Sequence, residues 1–325
     1  MTAVAALEPG IAWLLRSDEP VIAHRALVDL VGADHDDGRV TASRRRIPAG
    51  KLVAVLIAGQ EADGGFGRHP YSKWTGGHWR LVSLMDLGVP ADLPAADEAI
   101  EPVLHWLLGK AHRSNVPTIA GLPRRCASQE GNALAVAVHF GLEGDPRVAL
   151  LAESLASWQW PDGGWNCDRR EDAHHSSFHE TLPAYRGVAA FARATGDPAA
   201  AASCERAAEF VLRHRVAYRE RTGRPLGPEA VRIHYPPYWH YDFLAGLRAL
   251  AESGHVTDPR TAEGLDLLES RRRADGTWAA DGVHFRRPGS TSLVDVADWA
   301  RPGQPSEPVT LGALLVLRAA GRHRS

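Results

Sequence analysis

One short phrase, written three times, restricts the fold more than anything else in this chain. QEADGGFG begins at Gln60, QWPDGGWN at Gln159 and RRADGTWA at Arg272. Each sets an Asp-Gly turn between two helical patterns, where glycine supplies backbone angles that other residues resist. Asp63, Asp162 and Asp275 lie 99 and 113 residues apart, so each interval holds two units of about fifty residues, a helical repeat array.

Apolar residues recur at helical spacing over 11–16, 52–60, 99–108, 148–158, 202–212 and 262–270, which predicts six outer helices. Three follow Asp-Pro at Asp145, Asp197 and Asp258, where aspartate caps orphan amides and proline suits the first turn. Six further patterns lie at 20–31, 78–87, 130–140, 178–194, 240–253 and 308–320, and most are richer in small residues, as helices packed on several sides require. Strand signals are nearly absent. The expectation is an all-α fold in one domain spanning 1–325, with an open solenoid of helix pairs as the alternative to a closed ring.

Composition narrows the function classes. Lysine and arginine number 37 against 39 acidic residues, so bulk charge gives no case for nucleic acid. No run approaches the ~18–20 apolar residues of a membrane span, and the N-terminus lacks the pattern of a signal peptide. The expected setting is the cytoplasm. Three cysteines, Cys126, Cys167 and Cys204, do not make a disulfide framework. Cys204, in an alanine-rich amphipathic segment, reads as core.

The chemistry concentrates after the second Asp-Gly turn. Cys167, Asp168, Asp172, His174, His175 and His179 fall within thirteen positions, a density of metal-ligand types that a helix connection does not need. A second cluster, IHYPPYWHYD at 233–242, brings Tyr238, Trp239, His240 and Asp242 to an inner-helix start after two prolines. A third, HPYSKWTGGHWR at 69–80, brings His78, Trp79 and Arg80 to another.

The Gln-x-x-Asp-Gly-Gly-Phe/Trp phrases at 60–66 and 159–165 resemble the QW-type repeat of the α/α toroids: squalene cyclases, terpenoid cyclases and protein prenyltransferase β subunits. That resemblance implies an (α/α)6 toroid, a closed double ring of about six inner and six outer helices. The chain lacks the DxDD acid motif of class II terpenoid cyclases; Asp295-Val-Ala-Asp298 has another spacing. Prenyltransferase β subunits place a catalytic zinc on Asp-x-Cys at one inner-helix start and a histidine at the next. Cys126 and His179 are similarly placed here, with Arg124 where that aspartate would stand. Lanthionine-forming toroids use Cys, Cys and His on zinc, and Cys126, Cys167 and a histidine resemble that set, without the CHG signature.

These residues give the expected site. His175 and His179 are four apart, one helical turn, and Cys126, Cys167 and His240 arrive from neighbouring elements to complete a metal centre. Thiolate ligands select zinc. Glu180, Glu130, Asp168 and Asp242 are the candidate general bases. Trp165 joins His78, Trp79, Arg80, Tyr238 and Trp239 as substrate-contacting wall, and Arg124 and Arg125 add positive charge suited to an acidic substrate. The expected activity is zinc-dependent transfer, lyase or cyclase chemistry, or hydrolysis, on a small molecule or peptide. A metal-free isoprenoid-processing or isoprenoid-binding toroid and a non-catalytic toroid presenting its rim to a peptide or protein are the alternatives.

Overall fold

The computed structural model describes residues 7–114, 116–286 and 293–322. In chain order its helices are α1 (Pro9–Leu14), α2 (Pro20–Arg25, continuing as a π-helical stretch, Ala26–Val31), α3 (Gly38–Arg46), α4 (Lys51–Ile57) and α5 (Gly77–Leu87). There follow α6 (Pro94–Leu108), α7 (Lys110–Arg113), α8 (Ser128–His139), α9 (Pro146–Trp158) and α10 (Phe178–Thr195). The last four are α11 (Pro198–Arg213), α12 (Phe243–Glu252), α13 (Ala262–Ser270) and α14 (Glu307–Ala319). A two-stranded antiparallel hairpin, β1 (Thr118–Ile119) and β2 (Leu122–Pro123), precedes α8. The fold is all-α, and no helix among the described residues is long and apolar enough to cross a membrane.

The two helix sets differ in burial as their composition demands. Every residue of α5 is buried, whereas α9 buries only Val148, Leu151, Ala152 and Leu155. The small residues of the buried set let backbones touch. A Cβ on Gly131 of α8 would lie 2.4 Å from the Ala184 amide of α10, and one on Gly187 would lie 2.5 Å from the Gly131 carbonyl. Packing proceeds from α5 to α8, α10, α12 and α14, and α14 also lies on α2. Asp145, Asp197 and Asp258 accept from the amides of Arg147, Ala200 and Arg260, as Asp-Pro starts require.

The repeated phrase has a repeated structural task. Gln60 Nε2 donates to the Ala95 carbonyl at 2.8 Å and Gln159 Nε2 to that of Ser203 at 2.9 Å, fastening the turns to α6 and α11. Trp165 and Trp278 Nε1 donate to the carbonyls of Leu155 and Leu268, each at 2.8 Å. The glycines admit no side chain: a Cβ on Gly64 would lie 2.0 Å from the Glu98 carbonyl, and one on Gly163 2.3 Å from that of Arg206. Gly276, in the third turn, meets the amide of Gly10 in α1, where a Cβ would stand at 2.7 Å. The last Asp-Gly turn is thus seated on the first helix.

Two elements depart from the pattern. Helix α3 has no apolar period to announce it; only Val40 is buried, and Asp37 caps it by accepting from Arg39. Helix α12 starts at Phe243 rather than 240, because Asp242 caps it and Tyr238 sits at φ 53°.

Far from these turns, Arg186 of α10 meets Asp86 of α5 at 3.0 Å and Glu252 of α12 at 2.9 Å, while Arg248 reaches Asp86 at 3.2 Å. Burial alone would oppose ionisation of Asp86, but Arg186 and Arg248 outweigh it and hold the carboxyl below its ordinary value. A depressed carboxylate stabilises the fold above its unfolded pKa and loses that contribution as pH falls through the folded value.

Two predictions follow from this packing. Gly59 has φ 75° with nothing within 4 Å of its would-be Cβ, whereas Gly276 at φ 81° has the α1 backbone against it. Gly59→Ala therefore costs about 1–2 kcal/mol of unfolding free energy, the left-handed penalty alone, and Gly276→Ala distinctly more; equal losses in urea titrations would show that the turn does not bear on α1. Asp86→Asn takes a buried carboxylate from two half-buried guanidinium groups that keep only Glu252, and costs about 1–3 kcal/mol. Its deficit, measured as a difference in unfolding free energy, is full at neutral pH and shrinks below about pH 4.

Candidate metal centre

The starts of α8 and α10 and the loop after the second Asp-Gly turn meet at one end of the molecule. Strand β2 delivers Arg124, Arg125 and Cys126 to the start of α8. The loop is laced to both helices: Arg125 N donates to the Asn166 carbonyl at 3.1 Å and Ser177 N to that of Trp165 at 2.8 Å. Trp165 N donates to Thr181 Oγ1 at 3.1 Å, and Asn166 Nδ2 to the His175 carbonyl at 2.8 Å. These bonds leave Cys167 facing Cys126.

Glu180, in the first turn of α10, closes the group. Its Oε2 accepts from Ser128 N at 2.9 Å and its Oε1 from Cys167 Sγ at 3.4 Å. The ligand atoms of Cys126, Cys167 and Glu180 all lie within 4.8 Å of one another, and among the described residues they form the only such group of three donors. Tetrahedral zinc, with Zn–S of about 2.3 Å and Zn–O of about 2.0–2.2 Å, needs donors about 3.5–3.8 Å apart. The three donors could hold a zinc ion after an inward movement of at most about 1 Å, and three is the number of protein ligands an open catalytic site uses.

Proton placement in the bare protein is asymmetric. The hydrogen bond from Cys167 lowers the Cys126 thiol pKa despite burial. Cys167, the donor to both Cys126 and Glu180, is held well above the ordinary thiol range. Burial raises Glu180. Cys126 is the readier thiolate.

The expected imidazole ligands stand elsewhere. His175 is in the exposed loop against His174, with ring centroids 4.2 Å apart. His179 is exposed at the rim, and its Nδ1 accepts from Tyr241 N at 2.9 Å. Its ring lies 5.9 Å from that of His240, which stacks on His284 at 3.5 Å and on Trp239 at 3.9 Å. Burial lowers the pKa of His240 to about 2 and that of His284 to about 4, so this ring column is neutral. The sequence offered no sign of His284, which lies in a stretch without periodicity.

The other expected residues take these places. Buried Glu130 pairs with Arg125 and with His112, the latter at 2.9 Å. Asp242 accepts from the amides of Ala245 and His234, each at 2.8 Å. Asp168 pairs with Arg170 at 2.7 Å. Arg80 lies on the Phe66 ring at 4.1 Å and donates to the carbonyls of Leu56 and Ala58, each at 3.0 Å. Trp79 Nε1 donates to the Tyr71 carbonyl at 3.2 Å. Buried His78 has no partner for Nε2, and burial lowers its pKa to about 3. Tyr238 donates to Asp295 and stacks on Trp74 at 4.2 Å. Trp165 is buried in its turn.

A cleft of about 650 Å³ opens beside the thiols, with Arg124, Arg125, His112, Gln129 and both cysteines on its wall.

No family model matches the chain, and no curated protein matches it. Among solved structures it is similar to the type II terpene cyclase MstE of Scytonema without ligand, at 15% identity and a TM-score of 0.29, covering 84% of this chain and 96% of that one. A variant of MstE in complex with geranylgeranyl dihydroxybenzoate aligns at 16% identity and a TM-score of 0.28, covering 84% and 96%. Another variant, with merosterolic acid A, aligns at 16% identity and a TM-score of 0.26, covering 83% and 94%.

In metal-free protein, limited alkylation followed by peptide mass mapping should modify Cys126 before Cys167, with buried Cys204 last. Equal labelling of Cys126 and Cys167 would contradict the proton placement.

Proposed function

We propose that the chain is a zinc-dependent enzyme built as a closed α/α toroid in one domain, with Cys126, Cys167 and Glu180 holding the metal. The observation that carries this reading is the meeting of two thiols and a buried carboxylate from three separate segments, with a cleft opening beside the thiols. Ring closure is supported by α14 packing on both α12 and α2 and by the seat of Gly276 on α1.

Bound zinc supplies Lewis acidity, lowering the pKa of a coordinated water or thiol and polarising an electrophile. The chain's own residues arrange the rest. Ser128 N and the first turn of α10 hold Glu180, Cys126 provides the readier thiolate, and the loop hydrogen bonds keep Cys167 in reach. Arg124 and Arg125 give the adjoining cleft a positive wall. In this reading Glu130 and Asp242 serve as an ion-pair partner and a helix cap, and His179 and His240 line the rim beside the centre.

The reading puts the substrate in the cleft rather than on the central axis. Trp74, Trp79 and Tyr238 pack on one another, and the void among Asn132, Leu182, Tyr238 and Arg248 is about 10 Å³. That is room for about one water, not for an isoprenoid chain.

Elemental analysis of the purified protein and anomalous scattering at the zinc edge test the proposal. Stoichiometric zinc, lost in Cys126→Ser and Cys167→Ser and weakened by about 10–100-fold in Glu180→Gln, is expected. Absence of zinc, together with unchanged behaviour of Cys167→Ser, would end the metal reading.

A further inference from the structure

The cysteines of the chain have two kinds of surroundings. Cys204, in α11, is buried and packs into the apolar core. Cys126 and Cys167 are each part-exposed, and both stand on the wall of the cleft of about 650 Å³. A solute as small as a peroxide reaches both sulfurs there.

The backbone brings this pair together. Arg125 N donates to the Asn166 carbonyl at 3.1 Å, so the two segments lie one hydrogen bond apart at the residues just before the cysteines. Segments joined in this way run about 5 Å apart, and a disulfide spans Cα atoms about 4.4–6.8 Å apart. The two sulfurs lie within 4.8 Å of each other, with Cys167 donating to Cys126. An S–S bond of about 2.05 Å asks for an approach of at most about 2.8 Å, within reach of rotation about the two Cα–Cβ bonds. The chain after Cys167 leaves room for it, since Arg169, Arg170, Glu171 and Asp172 are exposed and lie in no helix or strand.

We infer that Cys126 and Cys167 are a reversible redox pair, closed by a peroxide into an intramolecular disulfide that takes both sulfurs away from a metal. One thiolate sulfur attacks a peroxide oxygen, the O–O bond breaks, and the hydroxide released takes up a proton and leaves as water. The second sulfur attacks the sulfenic acid so formed. Its S–O bond breaks, and the oxygen leaves as a second water with the proton of that thiol. The sulfurs together lose two electrons and the peroxide gains them. The disulfide rests on the thiol pair alone, whereas its regulatory effect rests on the zinc reading. Disulfide sulfurs bring no anionic charge to a cation, so oxidation leaves only Glu180, still held by Ser128 N, and releases the ion.

Metal-free protein treated with hydrogen peroxide, alkylated and digested with trypsin without reduction supplies the test. Cleavage after Arg125, Arg147 and Arg169 puts the two cysteines on separate peptides, 126–147 and 148–169. Their cross-linked form should exceed any pair containing Cys204 by at least about tenfold, disappear on reduction, and come from protein that runs as a monomer on a non-reducing gel. Cys204→Ser should leave it unchanged. Separate oxidation of the two thiols to sulfinic acids with no cross-link would overturn the inference, as would a link formed only between two chains. Zinc-loaded protein gives the second arm, with freed zinc read by a chromogenic chelator. Peroxide should release zinc in step with the cross-link, and a phosphine reductant should restore its uptake. A cross-link in protein that never binds zinc supports the pair while ending the metal reading, and bound zinc with no cross-link in either form overturns the pair alone.

Discussion

The structure depends on backbone meeting backbone at glycine. In each Asp-Gly turn one glycine lies against the peptide chain of a neighbouring helix, with no room for a methyl group at Gly64, Gly163 or Gly276. The buried helices repeat the device where Gly131 and Gly187 bring α8 against α10. Such contacts are short-range and steric, so they fix separations that apolar side chains alone would leave adjustable. The site inherits that fixity, since Cys126 precedes α8 and Glu180 begins α10, the closest-packed helices of the chain.

Hydrogen bonding then turns a rigid helix pair into a chemical site. The loop carrying Cys167 is attached at Asn166 to the Arg125 amide and at Trp165 to the start of α10. Asp162, the turn's own aspartate, accepts from the backbone amide of Ser176 at 2.8 Å. One residue thus shapes the repeat turn and steadies the segment leading into α10. The repeat phrase and the candidate ligands adjoin in sequence because they share this scaffold.

Much of this was legible in the residues, for physical reasons. Asp145, Asp197 and Asp258 announced helix starts because capping is local chemistry, and the buried helices showed themselves through small residues that close packing requires. Helix α3 stayed hidden because its surroundings bury only Val40, which leaves no period to read. The donor group was legible in part. Cys126 and Cys167 stood among the candidate metal ligands together with His175, His179 and His240, whereas Glu180 stood among the candidate general bases. The choice among them is a matter of direction: His179 and Glu180 are consecutive on α10, so their side chains point about 100° apart, and only one can face the thiols. It is Glu180 that turns inward, buried, while His179 faces the rim. No spacing rule gives that phase without knowing which side of α10 meets α8.

The placement of the acidic ligands has its own logic. Helix N-termini concentrate unpaired amides and partial positive charge, so a thiolate before α8 and a carboxylate in the first turn of α10 are favoured there as anions. Against that, the hydrogen bond to Cys126, and then burial and repulsion, raise Cys167, and burial raises Glu180. In the bare protein the balance leaves charge mainly on Cys126, with Cys167 donating to both neighbours. In the zinc reading, Cys126, Cys167 and Glu180 would hold a divalent cation whose charge would offset that repulsion and favour loss of the Cys167 proton. The neutral ring column of His240 and His284 lies outside the donor group and adds no competing positive charge. What distinguishes this rim is therefore a small anionic set held by amides, beside a cleft whose fixed charges are positive. In the zinc reading proposed above, that anionic set would hold the metal.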